Sequence, residues 1–151
     1  MKIIRELNEN YKISNPSDIY KYLKEFENED REYLIIIGLD TKNTPVYREI
    51  CSIGSLDSAI VHPREVFKKA VMLSCKSIIM AHNHPSNNNK PSKEDIHITN
   101  IIKKGGKLLG IKLLDHIIIV KDDYRSIIDL ESLDDLEEVI QWKGQTLKDL
   151  L

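Results

Sequence analysis

Two histidines and an aspartate carry the clearest chemistry in this sequence. His82 and His84 are separated by one residue at the end of an apolar run. Alternate residues of a strand project from the same face, so both imidazoles point into one space. Asp95 lies in the first turn of a predicted helix that Ser92 caps. Two imidazoles and one carboxylate form a three-ligand set for Zn²⁺ that leaves the fourth tetrahedral position to water. A His-x-His pair alone is more often a packing feature, and it is Asp95 that favours an open, catalytic type of zinc site.

Three consecutive elements must position these residues. The run Ser77–His82 has the length and apolar character of a buried strand, and residues 83–91 form a polar loop with four asparagines and two prolines. Ser92 then begins a helix whose end is predicted at Gly105–Gly106. A loop that folds back sets the carboxylate of Asp95 beside the imidazoles.

The rest of the chain alternates strands and helices. The predicted elements are a helix from Asn15, a hairpin of strands Glu32–Leu39 and Val46–Ile53, a helix from His62 to near Cys75, and one or two strands within Leu108–Val120. This alternation predicts one layered domain of the α/β or α+β class.

Composition excludes several classes of protein. The 151 residues are 41% hydrophobic and 30% charged, which excludes a disordered chain and a collagen. Apolar runs such as Leu34–Ile37 are far shorter than the ~18 residues of a membrane span, and charges interrupt the first residues, so we expect no membrane association and a cytoplasmic location. The net charge of −2 gives no overall positive field for binding nucleic acid.

The composition changes after Tyr124. Six of the ten residues in Asp129–Glu138 are acidic, with leucines at helical spacing. Residues 129–151 are therefore predicted to form an acidic amphipathic helix packed on the domain, with its acidic face solvated. A regulatory or partner-binding tail is the alternative.

Four segments together resemble a known family. They are, in order, Val61–Val66 (VHPREV), Ala81–Ser86 (AHNHPS), Pro91–Asp95 (PSKED) and Leu109–Ile119 (LGIKLLDHIII). On these segments the chain is identified as a member of the bacterial RadC family, which carries the JAMM (MPN) metallopeptidase motif. The resemblance runs from about Ile13 to Ser126, and the domains are predicted as a lead-in of residues 1–13, a RadC-like JAMM domain of residues 14–128 and the tail.

The resemblance implies a fold and a set of site residues. The fold is a mixed sheet flanked by helices, similar to the MPN and cytidine-deaminase-like architecture. His82, His84 and Asp95 would bind one zinc ion per chain, and Ser92 would place a hydroxyl that stabilises an oxyanion. Glu32 is similar in position to the family's catalytic glutamate, which takes a proton from a zinc-activated water as that water attacks an amide carbonyl.

Several residues are open to more than one interpretation. Glu65 and Glu49 are the alternatives to Glu32 as the base. We expect His116 to make a hydrogen bond in the core or to a metal ligand. Two further residues, Asn83 and Ser86, are expected to shape the loop or to touch substrate.

Two departures from the family pattern carry expectations of their own. Asn87 stands where the family usually has glycine, and asparagine tolerates a left-handed backbone better than most residues do. Longer family members carry an amino-terminal helix-hairpin-helix region, which a chain of this length is expected to lack.

Three functions compete at this point. The first is a zinc-dependent metallopeptidase or isopeptidase that acts on an unidentified peptide or protein. The second is an accessory protein of DNA repair or of mobile elements that binds DNA or a repair partner without hydrolysis, for which the sequence offers only the pairs Lys68–Lys69 and Lys103–Lys104 as a basic face. The third is a metal-bound but inactive scaffold. No glycine-rich phosphate loop supports nucleotide binding.

Overall fold

A computed structural model describes residues 3–5, 11–54 and 61–128. The strands are β1 (Ile3–Arg5), β2 (Tyr33–Leu39), β3 (Pro45–Ile53), β4 (Ser77–Asn83), β5 (Lys112–Val120) and β6 (Asp123–Ser126), and the α-helices are α1 (Pro16–Tyr22), α2 (Pro63–Met72) and α3 (Lys93–Leu109). A 3-10 helix, Lys24–Asn28, follows α1. The predicted acidic tail lies outside the described residues.

The described strands form one mixed sheet in the order β1-β3-β2-β4-β5-β6. Strands β4 and β5 are parallel, and the other neighbours are antiparallel. The long crossover between β4 and β5 contains α3, as a parallel connection requires. The start of α3 is thereby placed at the carboxyl end of β4, which is where the chemistry-bearing segment lies.

Helices cover both faces of the sheet. Val66 and Phe67 of α2 and Ile102 of α3 pack on one face, whereas Ile19 of α1 and Leu23 after it pack on the other. Because β2 and β4 are buried on both faces, their sequences are nearly continuous apolar runs rather than alternating ones. The predicted helix-flanked mixed sheet is confirmed.

The prediction that the third helix ends at Gly105–Gly106 is wrong. The helix α3 continues through both glycines and ends at Gly110, which adopts the left-handed conformation with φ 71°. A Cβ on Gly106 would lie 2.3 Å from the carbonyl oxygen of Ile111 and 3.3 Å from the ring of Phe67. Gly106 therefore serves a close approach between α3, α2 and the start of β5 rather than a helix stop.

The strand after α3 starts later than the predicted segment. Leu108 and Leu109 belong to the end of α3 and are exposed, and of the one or two strands predicted within Leu108–Val120 the structure has one, β5. No helix among the described residues has the length and apolar character that crossing a bilayer requires.

Candidate metal centre

Three elements bring four potential ligands together at one end of the sheet. His82 lies near the end of β4 and His84 follows that strand, Asp95 is in the first turn of α3, and Glu32 directly precedes β2. The antiparallel pairing of Leu34 with His82 brings the start of β2 beside the end of β4. One ligand atom from each of the four residues lies within 4.8 Å of the others, so the group could hold a metal ion.

The distances separate three of these residues from the fourth. Bonds of about 2.0–2.1 Å in a tetrahedron imply donor–donor separations of about 3.3 Å. The Asp95 oxygens lie 3.3 Å from Nε2 of His82 and 3.2 Å from Nε2 of His84, and the two Nε2 atoms are 2.8 Å apart. Oε1 of Glu32 is farther away, at 3.9 and 4.0 Å from the same nitrogens. The donor set therefore fits three ligands with a carboxylate beside them.

The ring of His84 is oriented by the loop that follows it. Its Nδ1 donates to the backbone carbonyl of Asn88 at 2.7 Å, which leaves Nε2 directed at Asp95 and His82. Burial disfavours the charged form of His84, but hydrogen bonds to Asp95 and to the Asn88 carbonyl outweigh burial and raise its pKa. The ring is thus held by a peptide group of a polar loop.

The ring of His82 is oriented from the opposite side, inside the core. Its Nδ1 lies 2.7 Å from Nε2 of His116, whose Nδ1 lies 2.6 Å from the hydroxyl of Thr99. That hydroxyl is 2.6 Å from the backbone carbonyl of Asp95. Complete burial, followed by repulsion from His82, lowers the pKa of His116 well below its ordinary value.

Asp95 is fixed by the start of its own helix. The Ser92 amide donates to Oδ2 of Asp95 at 2.8 Å, and the Asp95 amide donates to the Ser92 hydroxyl at 3.0 Å. This reciprocal pair is a capping box. Burial alone would raise the pKa of Asp95, but the adjacent imidazoles of His82 and His84 hold it well below its usual range. The carboxylate is buried and anionic, which suits a metal ligand.

Ser92 and Glu32 line an open cleft beside the ligands. The cleft has a volume of about 470 Å³ and is lined by Glu32, His84, Pro85, Ser86, Ser92, Glu94 and Asp95. Because the Ser92 oxygen accepts the amide hydrogen of Asp95, its own O–H is a donor that can turn toward the cleft. Both residues therefore lie where a bound molecule would meet the candidate metal ligands.

Asn83 holds the backbone on both sides of Glu32. Its side chain accepts from the amide of Tyr33 at 2.7 Å and donates to the carbonyl of Arg31 at 2.7 Å. A third bond, from the amide of Gly54 to the carbonyl of Glu32, measures 2.8 Å. The predicted partner of Asn83 was its own loop, but the structure shows that its side chain instead anchors the segment that carries Glu32.

Asparagine side chains of the loop between β4 and α3 form hydrogen bonds to the segment where β5 turns into β6. Asn87 adopts φ 63°, the left-handed conformation expected where the family pattern has glycine, and its side-chain oxygen accepts from the Lys121 amide at 2.8 Å. Asn89 donates to Asp123 at 2.8 Å. Ser86 accepts within the loop from the Asn88 amide at 3.4 Å.

The two alternative bases lie outside this group. Glu49 is buried on β3, where burial raises its pKa and where it interacts electrostatically with Lys69 and with Glu65 of α2.

Sequence reasoning missed Thr99. Nothing in the local sequence marks this residue, because its role depends on how α3 packs against β5.

The fold and the site together define the class of protein. A helix-flanked mixed sheet with a His-x-His strand end facing the capped aspartate of the next helix is the arrangement of a JAB (MPN) domain. Residues 13–133 match the family model of the RadC-like JAB domain, and the chain belongs to that family.

Curated relatives carry the same domain in longer chains. The chain is 51% identical over 119 residues to a UPF0758 protein of Methanosarcina mazei, covering 78% of this chain and 52% of that protein. It is 51% identical over 120 residues to a UPF0758 protein of Clostridium tetani, covering 79% and 53%. It is 42% identical over 126 residues to one of Staphylococcus haemolyticus, covering 83% and 55%. The chain thus spans about half the length of these curated relatives.

Proposed function

We propose that this domain is a metal-dependent hydrolase that cleaves an amide or isopeptide bond, with His82, His84 and Asp95 binding one zinc ion per chain. The observation that carries the proposal is the convergence of the two Nε2 atoms. Nδ1 of His84 is committed to a carbonyl, so the neutral ring directs the lone pair of its Nε2 at Nε2 of His82, 2.8 Å away. Such a contact beside a buried carboxylate is stabilised by a proton or by a cation, and imidazole nitrogens with a carboxylate suit zinc.

The residues around the cleft have separate roles in hydrolysis. His82, His84 and Asp95 would hold a divalent metal, which would supply a water of lowered pKa and polarise a carbonyl group. Glu32, about 4 Å from both imidazoles, accepts a proton from the attacking water and later delivers it to the departing amine. The Ser92 hydroxyl donates to the oxygen that gains negative charge. The water oxygen bonds to the carbonyl carbon and the C–N bond breaks; the proton taken by Glu32 leaves on the amine, and the second water proton remains with the carboxylic acid product.

The competing function, binding of DNA or of a repair partner without hydrolysis, has a weaker structural basis. Of the four lysines that could form a basic face, Lys103 is buried in α3 with only 7% exposed. A face built on the remaining three lysines would neutralise few phosphates.

Metal content provides the first test. Purified wild type, His84→Ala and Asp95→Ala are reconstituted with zinc, checked for folding by circular dichroism and analysed by elemental mass spectrometry. We expect near one zinc per wild-type chain and none in the two folded variants. Wild type that stays metal-free after reconstitution would overturn the proposal.

Hydrolysis is tested next with the zinc-loaded protein on a panel of peptide and lysine-isopeptide substrates. Glu32→Gln is the matched control, because it keeps the shape of the side chain but removes the base. We expect Glu32→Gln to retain zinc and to lose at least about 100-fold in rate. Equal rates in wild type and Glu32→Gln would show that Glu32 is not the base.

A further inference from the structure

We infer that Thr99 and His116 are positioning residues that fix His82 in the tautomer whose Nε2 lone pair faces the metal centre. The inference rests on the proposed metal site. It concerns two residues outside the ligand set, one on α3 and one on β5, that join the backbone of one ligand to the ring of another.

The direction of the hydrogen bonds begins at the Asp95 carbonyl. A carbonyl oxygen only accepts, so at 2.6 Å the hydroxyl of Thr99 must donate its single hydrogen to it. Thr99 is one helical turn after Asp95 on α3, where this bond to the backbone of residue i−4 is the expected geometry for threonine. The hydroxyl of Thr99 has then spent its only hydrogen.

The next two bonds follow from that choice. Nδ1 of His116 lies 2.6 Å from the Thr99 oxygen, which can only accept there, so Nδ1 carries the hydrogen. Nε2 of the neutral His116 ring then bears the lone pair. It lies 2.7 Å from Nδ1 of His82, which must donate to it. The remaining ring nitrogen of His82, Nε2, is left with its lone pair directed at Asp95 and His84.

The opposite arrangement is disfavoured by the same distances. If Nδ1 of His116 bore the lone pair, the Thr99 hydrogen would be needed there as well as at the Asp95 carbonyl, and one of the two 2.6 Å contacts would join two lone pairs. Water has little access to relieve such a contact, because His82 and His116 are fully buried and Thr99 is 2% exposed. The buried chain of bonds therefore selects one tautomer before any metal arrives.

The tautomer is read directly by nuclear magnetic resonance. Long-range ¹H–¹⁵N correlation spectra of histidine-labelled full-length protein, chelator-treated and zinc-loaded, distinguish Nδ1–H from Nε2–H. We expect His82 and His116 to carry hydrogen on Nδ1 in both forms. A chelator-treated protein whose His82 carries hydrogen on Nε2 would overturn the inference, whether or not zinc binds.

Zinc affinity, measured by competition with a chromophoric chelator, tests the consequence. Thr99→Val keeps the shape but removes the hydroxyl, and we expect a loss of about 10–100-fold in affinity. Thr99→Ser restores the hydroxyl and should restore affinity, whereas a purely structural role would be served as well by valine. His116→Phe should weaken binding, and His116→Gln, which offers an amide acceptor, should recover part of the loss.

The outcomes separate this inference from the proposed function. Tight zinc binding by wild type and Thr99→Val alike overturns the positioning role and leaves the metal centre intact. Absence of zinc binding in wild type overturns the proposed function and the positioning role together, while the spectra still decide whether the hydrogen-bond chain sets the tautomer.

Discussion

The two imidazoles of the candidate metal centre are separated by one residue, yet opposite kinds of surroundings hold them. His82 belongs to a buried wall, which consists of His82, His116, Thr99 and the backbone of Asp95. His84 belongs to a loop wall, which consists of His84 and the loop backbone at Asn88. The His82 side chain is completely buried, and that of His84 is 13% exposed. The comparison indicates that buried core residues orient His82, whereas a single peptide group of a polar loop orients His84.

The largest contrast should come from truncating each imidazole. His82→Ala and His84→Ala should both abolish zinc binding, but only His82→Ala leaves the buried Nε2 of His116 without its partner. We expect the free energy of unfolding of the zinc-free protein to fall by about 1–3 kcal/mol for His82→Ala and by less than about 1 kcal/mol for His84→Ala. Urea denaturation measures both, and equal losses would erase the distinction between the walls.

Substitutions in the glycine pair of α3 test the buried wall indirectly, by shifting the helix that carries part of it. The Cβ of Gly106→Ala would meet the Ile111 carbonyl at 2.3 Å, whereas that of Gly105→Ala would lie 3.4 Å from the Phe67 ring. We expect Gly106→Ala to destabilise the fold by about 1–3 kcal/mol and to weaken zinc binding, because α3 carries both Thr99 and Asp95.

Gly105→Ala is the matched control in the same helix. It should be neutral or stabilising by up to about 1 kcal/mol, because alanine favours the helix. Thermal denaturation and zinc titration of the two variants make the comparison, and a loss of affinity in Gly105→Ala would contradict it.

Asn83 belongs to neither wall, and its substitution should have an intermediate effect. Asn83→Ala removes both bonds to the backbone around Glu32. We expect a loss of about 1 kcal/mol in stability, unchanged zinc content and a reduced rate on any substrate that the zinc-loaded protein cleaves. Asn83→Asp keeps the acceptor for the Tyr33 amide and serves as the control. Loss of zinc in the folded Asn83→Ala variant would place Asn83 with the ligands instead of with Glu32.

The smallest effects on stability and zinc binding are expected at the helix cap. Ser92→Ala removes the acceptor for the Asp95 amide and should cost about 1 kcal/mol, whereas Ser92→Gly should cost a few tenths. Zinc should still bind in both variants, since the ligand atoms remain. Denaturation midpoints combined with zinc titration test this, and failure of either variant to bind zinc would show that the cap is part of the ligand geometry.

Local rules account for what the sequence could predict. The period of two in a strand placed His82 and His84 on one face, and the capping residue placed Asp95 in the first helical turn. Glu32 lies far from these residues in the chain, and only the family resemblance indicated it. The hairpin and the helix starts at Pro16 and Pro63 were likewise predictable from turn residues and proline.

Long-range packing accounts for what the sequence could not predict. The pair Gly105–Gly106 is typical of a helix end in the sequence. In the structure both glycines lie inside α3, and Gly106 allows the close approach of α3 to its neighbours. The strand Asp123–Ser126 is too short and polar to be distinguished from a loop. Thr99 and His116 are separated by 17 residues and share a hydrogen bond only because α3 lies on β5.

The hydrogen bonds made by the asparagine side chains of the loop should influence how fast a metal ion exchanges. Asn87 bonds to Lys121 in the turn after β5, and Asn89 bonds to Asp123 at the start of β6, both through exposed groups. Exposed bonds of this kind open locally at low free energy. The buried wall opens only at a cost near that of unfolding. Residence time at the centre should therefore be governed by residues on the surface of the loop, and the strength of binding by residues in the core.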